Sequence, residues 1–270
     1  MKWNVAVLGA GKIGEAVARC LSASDLTASV TVTKRNPSTL KLEDRKILIS
    51  DRNDEACKRS EIVVIAVKAG DAMKLISQIG EHVRGKLVIS LMAAISIDRL
   101  QQHLPESKII RAMPNIAASI GESITAFCVG RTVTDEERRT GISVLGTFGD
   151  TVEVKESQMD AVTALSGSGP AYIAIIIDAM ISAGLKVGLS REIAFRLVTR
   201  TLTGTADLLN RHPLHPAELR DAVTTPAGTT IAGIYELEKG SVRTSIMNAV
   251  EAATEASKKV ALRFDGELNV

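Results

Sequence analysis

Aromatic side chains are scarce: Phe, Tyr and Trp together make up 3% of the 270 residues. A surface that stacks nucleic-acid bases on aromatic rings is thereby excluded, and the core has to be built from Ile, Val, Leu and Ala. An excess of one charge is missing as well. With 33 basic and 31 acidic side chains the formal charge is +2, so there is no electrostatic footprint for nucleic acid or an anionic membrane. Only three cysteines occur, Cys20, Cys57 and Cys128, odd in number and without metal-type spacing. They read as reduced, semi-buried thiols of a cytoplasmic protein rather than a disulfide framework. Of the four histidines, His82 and His103 fall on expected surface helices, and His212 and His215 flank Pro213 in a loop. None has HExxH-type spacing or a carboxylate partner at helical distance, so no metal site is read. A G-x-S-x-G elbow is absent, and no signal-peptide pattern, internal repeat or low-complexity tract is visible.

What is present is a globular chain. Hydrophobic residues make up 45% and charged ones 24%, enough for a core and for solubility, and the length suits two modest domains. One stretch, Ala164 to Leu185, has the length of a membrane span with Asp178 as its only charge. Gly167, Gly169 and Pro170 interrupt its first third, and an Asp in mid-bilayer costs about 2.5–3.5 kcal/mol on insertion scales. The reading taken is a helix apolar on all sides, covered by a protein core or a subunit interface.

The first half alternates between strand-like and helical patterns. Strands are expected at Asn4–Leu8, Ser29–Thr33, Lys46–Ile49, Ile62–Val67, Leu87–Leu91 and Lys108–Ala112, with a helix over Lys12–Ala23 and helical stretches between most of the others. Continuous apolar runs such as Ile62 to Val67 suit strands covered on both faces, which a parallel sheet flanked by helices requires. Two later strands, Ser123–Val129 and Thr151–Val154, flank a helix opened by a capping box at Thr134 and Glu137. After about residue 155 the pattern is helical throughout: Ala171–Lys186, Arg191–Arg211, Ala217–Ala222, Thr229–Lys239 and Val242–Arg263. The expected architecture is α/β: a doubly wound Rossmann-type sheet domain over residues 1–155, then an all-α domain over 156–270, joined around 154–160. The helical part is small and its first long helix too apolar for water, so pairing with a second copy is expected.

Gly9-Ala10-Gly11-Lys12-Ile13-Gly14 is a G-x-G-x-x-G that follows an expected strand and opens an expected helix. The first glycine permits the tight turn, the second the approach of a pyrophosphate, and the third close helix–strand packing. About 20 residues further on, NAD-binding sites place an acid on the ribose 2′-hydroxyl. Here the chain reads Thr33-Lys34-Arg35-Asn36, with no acid and two cations suited to a 2′-phosphate. NADPH is therefore expected in preference to NADH.

Three clusters of glycine, proline and hydroxyl residues remain: Arg111-Ala112-Met113-Pro114-Asn115, Ser166-Gly167-Ser168-Gly169-Pro170-Ala171-Tyr172, and Val223-Thr224-Thr225-Pro226-Ala227-Gly228-Thr229-Thr230 after Asp221. Each sits where an element ends or begins. On these blocks, together with the N-terminal glycine motif, the chain resembles the pyrroline-5-carboxylate reductases from its first motif to its final helix. The resemblance implies reduction of the cyclic imine 1-pyrroline-5-carboxylate to L-proline, the last step of proline synthesis, with NAD(P)H.

It also implies roles, position by position. Gly9 to Gly14 would hold the pyrophosphate, and Asn53 with Ala66, Val67 and Lys68 would line the adenosine and ribose side. Met92, Ala93 and Ala94 would flank the nicotinamide, and main-chain amides of Val223, Thr225, Gly228 and Thr229 would hold the substrate carboxylate. Thr230 would reach the ring nitrogen as the catalytic residue. On its own chemistry Asp221 reads as a helix-capping or loop-bracing carboxylate rather than a catalyst. Members of the family dimerise through their helical domains, and many assemble five dimers into a ring. The chain departs from the family pattern at Ala69, in place of a proline, at Ile116-Ala117, in place of Thr-Pro, and at Ala227, in place of a glycine. An alanine is tolerated at the last position if its φ is negative.

Two other readings share parts of this pattern. A β-hydroxyacid dehydrogenase would carry a catalytic lysine on the first long helix of the second domain, where Ala171–Leu185 has none. A nucleotide-sensing protein would keep the fold without turnover, against which the Thr229-Thr230 pair and the carboxylate loop argue.

Overall fold

The computed structural model describes residues 2–267; Met1 and residues 268–270, which the expected domain ranges include, lie outside the described residues. Eight strands form one sheet: β1 (Trp3–Leu8), β2 (Thr27–Thr33), β3 (Ile47–Ser50), β4 (Ile62–Ile65), β5 (Leu87–Ser90), β6 (Lys108–Met113), β7 (Ser123–Val129) and β8 (Gly149–Glu153). Their order is β3-β2-β1-β4-β5-β6-β7-β8. All neighbours are parallel except β6 and β7, which pair antiparallel with Arg111 opposite Cys128. The doubly wound α/β expectation is borne out, and the order reverses between β1 and β4, where such folds bind ligands.

Helices α1 (Lys12–Ala23), α2 (Asn53–Lys58), α3 (Ala72–Ile79), α4 (Ile97–His103) and α5 (Asp135–Leu145) cover the two sheet faces. On one side Val5, Val7, Val30 and Val32 pack with Ala16, Val17 and Leu21 of α1 and with Val144 and Leu145 of α5. On the other, Ala6, Leu8, Val63 and Ile65 meet Cys57 of α2, Leu75 and Ile79 of α3, and Leu100 of α4. Alternate residues of β1 and β4 serve opposite faces and all of β4 is buried, hence its unbroken apolar run.

Three departures from the sequence reading have local causes. The fourth strand stops at Ile65, two residues early, because β5 pairs only as far as Ile65 and the chain then leaves the sheet. The last strand opens at Gly149, whose φ of 137° and contact with the Ser123 backbone leave no room for a side chain. The Gly167–Pro170 segment does not break the helix. After α6 (Met159–Val162) a π-turn spans Thr163–Gly167, and α7 (Gly169–Lys186) follows directly. Ser168 N–H donates to Thr163 O at 2.9 Å, five residues back, so one wide turn absorbs the interruption. The Thr134–Glu137 capping box at α5 is present as read.

Among the described residues four more helices follow: α8 (Arg191–Arg211), α9 (Pro216–Ala222), α10 (Thr229–Lys239) and α11 (Val242–Glu267). The chain divides into two compact units, Met1–Pro170 with Glu251–Val270, and Ala171–Val250. In the second unit α7 and α8 share a small core of Ile181, Ala194 and Val198, with Ile177 and Leu202 packed against it. Ile173, Ile175 and Met180 of α7 stand exposed. Of the two covers expected for this helix, the chain's own core supplies only the side that meets α8.

Candidate active site

The β1–α1 turn is built on contacts that leave no space for side chains. Gly9 has φ +98°, and a Cβ on it would press on Val67 and on the Ala66 carbonyl. A Cβ on Gly14 would collide with the Gly9 carbonyl oxygen, so the third glycine lets α1 close onto the turn. Gly11 is the opposite case: nothing lies within 4 Å of the position its Cβ would take. Gly11 caps α1 without a side-chain bond, so the first-turn N–H groups, Lys12 and Ile13 among them, face outward unblocked by a cap. These residues fit a dinucleotide pyrophosphate: a tight turn, an open approach and a positive helix end.

Beside the turn lies a cavity of about 550 Å³, lined by Gly9, Ala10, Gly11, Lys34, Arg35, Asn53, Ala66, Val67 and Lys68 among others. The structure therefore brings most of the expected nucleotide-side residues together. Met92, Ala93 and Ala94 follow β5 along the same edge of the sheet and are not part of this lining. Ala94 adopts φ +65°, left-handed backbone that an alanine rarely takes.

Both cations at the end of β2 already have carboxylate partners. Lys34 Nζ lies 3.3 Å from Glu15 Oε1, and Arg35 Nη2 lies 3.2 Å from Asp71 Oδ2. Arg35 remains largely exposed, so its bond to Asp71 is weak and exchangeable. In all, Lys34, Arg35, Lys68 and Lys74 line the cavity together with Asp51 and Asp71, a balance that favours an anion.

The sequence reading overlooked α3 as a wall of this cavity. Asp71, Lys74, Leu75 and Gln78 line it, and their three-to-four-residue spacing, one face of a helix, was the available signal. It also overlooked the chain of bonds that fixes Asn53. Thr33 Oγ1 donates to Asn53 Oδ1 at 2.6 Å, and Asn53 Nδ2 donates to Gln78 Oε1 at 3.0 Å. Thr33 also ties down the glycine turn, its carbonyl accepting from Ala10 N–H at 2.9 Å.

The hydroxyl-rich loop belongs to the other unit. Gly228 N–H donates to Thr225 O at 3.0 Å, and a Cβ on Gly228 would strike the Thr225 hydroxyl. Gly228 caps α10 without a side-chain bond, and Thr229 and Thr230 form its first turn. Val223 is exposed. The Asp221 carboxylate pairs with Arg220 next to it, and the bond into the loop, from Thr224 N–H at 3.1 Å, is accepted by the Asp221 main-chain carbonyl rather than by the carboxylate. The condition set for Ala227 is not met: its φ is +57°, in the region that favours glycine, so the alanine sits there under strain. The other two departures are accommodated. Ala69 opens a short 3₁₀ turn to Asp71, and Asn115 caps the turn Ile116–Ile120 by accepting from Ala117 N–H.

Two of the three thiols are buried, and burial also pushes up the pKa of half-buried Cys20. Burial pushes Cys57 and Cys128 up to about 12, so both stay protonated at neutral pH. Among the described residues, no group of three His, Cys, Asp or Glu is placed to hold a metal ion.

A family model described as pyrroline-5-carboxylate reductase dimerisation matches residues 156–260, and one described as coenzyme F420-dependent NADP oxidoreductase matches residues 4–94. A pyrroline-5-carboxylate reductase of a Synechocystis species is 36% identical over 96% of this chain and 99% of its own. The chain belongs to the pyrroline-5-carboxylate reductase family. The resemblance drawn from the glycine motif and the three clusters of glycine, proline and hydroxyl residues thus holds over nearly the full length. The Arabidopsis thaliana pyrroline-5-carboxylate reductase is 35% identical, with 96% of this chain and 95% of that one covered. Among solved structures, Plasmodium falciparum pyrroline carboxylate reductase with NADP bound is 30% identical, covers 96% of this chain and 98% of its own, and gives a TM-score of 0.88. A Coxiella burnetii pyrroline-5-carboxylate reductase reaches the same TM-score at 28% identity, over 96% and 99% of the two chains. Like the rest of its family, the chain is an NAD(P)-binding oxidoreductase with a Rossmann-type sheet.

Proposed function

We propose that this chain reduces 1-pyrroline-5-carboxylate to L-proline, with NADPH in preference to NADH. The observation that carries the reading is kinship over 96% of the chain, a span that includes both the glycine turn and the Thr225–Thr230 loop. The cofactor preference is supported by the cations around the cavity and the absence of an acid in Thr33-Lys34-Arg35-Asn36.

When bound, reduced nicotinamide supplies the hydride, and the protein supplies position and electrostatics. The first turn of α1 takes the pyrophosphate, Asn53 with Ala66, Val67 and Lys68 takes the adenosine and ribose side, and Met92–Ala94 flanks the reactive ring. Main-chain N–H groups at Val223, Thr225, Gly228 and Thr229 hold the substrate carboxylate. Gly228 already donates within the loop, so Thr225 and Thr229 carry most of that work. The imine carbon gains the hydride, and the ring nitrogen keeps the electron pair of the former π bond and bears the proton. A protonated imine is already electrophilic, so no strong acid is needed. Thr230 donates a hydrogen bond to that nitrogen and aligns it. The enzyme acts as a homodimer joined through its helical unit, with five dimers closing into a ring. Its three free thiols suit the reducing cytoplasm.

The test is spectrophotometric. Mixing protein, NADPH and pyrroline-5-carboxylate should consume the cofactor absorbance and yield proline, and absence of oxidation above background would leave a nucleotide sensor as the better reading. Thr230→Ala should lower kcat by about 10²-fold or more while NADPH still binds. A full rate in that variant would remove the role from Thr230.

A further inference from the structure

The turn that follows β5 is held in an unfavourable shape. Ala94 at φ +65° is a conformation that a non-glycine residue keeps only when its surroundings impose it. On the strand side, Ser90 Oγ accepts from Met92 N–H at 3.4 Å, and β5 is fixed between β4 and β6. On the helix side, Ser96 caps α4 by accepting from Arg99 N–H at 3.2 Å. Leu91 N–H donates to Ile65 O at 2.8 Å, and Met92, Ala94 and Ile95 are buried. A further restraint comes from far along the sequence. Glu156 Oε1 accepts the Ile97 N–H at 2.7 Å, across 59 residues.

That same oxygen accepts from Arg111 Nη1 at 3.0 Å. Arg111 is 6% exposed, stands opposite Ser90 in the β5–β6 register, and its Nε has no hydrogen-bond partner among the described residues. A buried guanidinium so sparsely satisfied depends on its carboxylate. Glu156 therefore joins two elements: α4, at the residue where the turn from β5 has just ended, and β6, through Arg111.

We propose that Glu156 is a positioning residue for the nicotinamide end of the site, holding the Met92–Ala94 turn in its left-handed shape by tying Ile97 to the buried Arg111. The proposal rests on the reading of Met92–Ala94 as the nicotinamide flank. Its consequence is selective. Release of the turn weakens the grip on the dihydronicotinamide and leaves the adenosine-side cavity, built on the β1–α1 turn and α3, as it was.

Two ligands separate these ends in the full-length protein. NADPH engages both, whereas 2′,5′-ADP carries the adenosine side and no nicotinamide. Binding of each is measured by fluorescence titration for the wild type, Glu156→Gln and Glu156→Ala. In Glu156→Ala the NADPH dissociation constant should rise about tenfold and kcat should fall, while 2′,5′-ADP affinity stays at the wild-type value. Glu156→Gln keeps an acceptor for Ile97 N–H and loses the charge facing Arg111, so its NADPH constant should rise about threefold, again with 2′,5′-ADP unchanged. A parallel loss of both ligands in Glu156→Gln, or an unchanged NADPH constant in it, overturns the proposal. Glu156→Gln decides the matter even where Glu156→Ala fails to fold. Because both titrations need no turnover, a wild type that bound NADPH without reducing the imine would count against the proposed activity and leave this comparison readable.

Discussion

Arg35 is the side chain on which cofactor choice turns most directly. Its guanidinium is 88% exposed and loosely paired with Asp71 at 3.2 Å, so a 2′-phosphate can take over the bond at little cost. Arg35→Ala should weaken NADPH about tenfold and leave NADH unchanged, as read from kcat/KM with each cofactor. Equal loss with both would locate the specificity elsewhere on the cavity wall, with Lys74 the next candidate. Ala227 is a second position where one side chain decides. Left-handed backbone costs an alanine about 1–2 kcal/mol relative to glycine, and glycine's freer unfolded chain gives back about 0.4–1 kcal/mol. Ala227→Gly should therefore stabilise the protein by about 0.5–1 kcal/mol in urea denaturation; a loss of stability would mean that the neighbouring Gly228–Thr225 contact compensates for the strain.

The β1–α1 unit shows how far the sequence could be read and where it stopped. The glycine spacing in its strand–helix context discloses the turn by itself, because each glycine answers a demand, of the turn, the ligand or the helix packing, that the motif encodes. The structure sorts those demands into two kinds. Gly14 meets the Gly9 carbonyl, so Gly14→Ala must push α1 away from the turn, costing about 1–3 kcal/mol of stability along with NADPH binding. Gly11 meets nothing, so Gly11→Ala should keep wild-type stability and lose cofactor affinity alone. Urea denaturation beside NADPH titration separates the two, and a stable Gly14→Ala would show that the contact is not tight. The strands and helices were legible for a similar reason: buried β4 and two-faced α1 write their surroundings into apolar spacing. The π-turn at Thr163–Gly167 was not, because glycine and proline read as a break and only a neighbouring register shift turns them into a continuous helix. Nor was Glu156, since its two bonds reach across 45 and 59 residues and no local pattern announces them.

At the level of the assembled protein, the exposed flank of α7 asks for a partner. The helical run Glu156–Lys186 is long and apolar enough to cross a bilayer, yet it carries Asp178 and the Gly169-Pro170 pair, and α8 covers part of it. A second copy of the chain meets the same need without placing a carboxylate in lipid, and the match of residues 156–260 to a dimerisation model agrees with that solution. If α7 forms that seam, Ile175, 69% exposed in the single chain, would be buried twice in each dimer. Losing both side chains, at about 1.5–3 kcal/mol each, raises the dissociation constant at least about 100-fold before the cost of two buried carboxylates is added. Ile175→Glu should therefore sediment as a monomer at micromolar concentration where the wild type sediments as a dimer or a larger ring, with NADPH affinity at the sheet unit retained. Unchanged mass in the variant would place the subunit contact on another face of the helical unit.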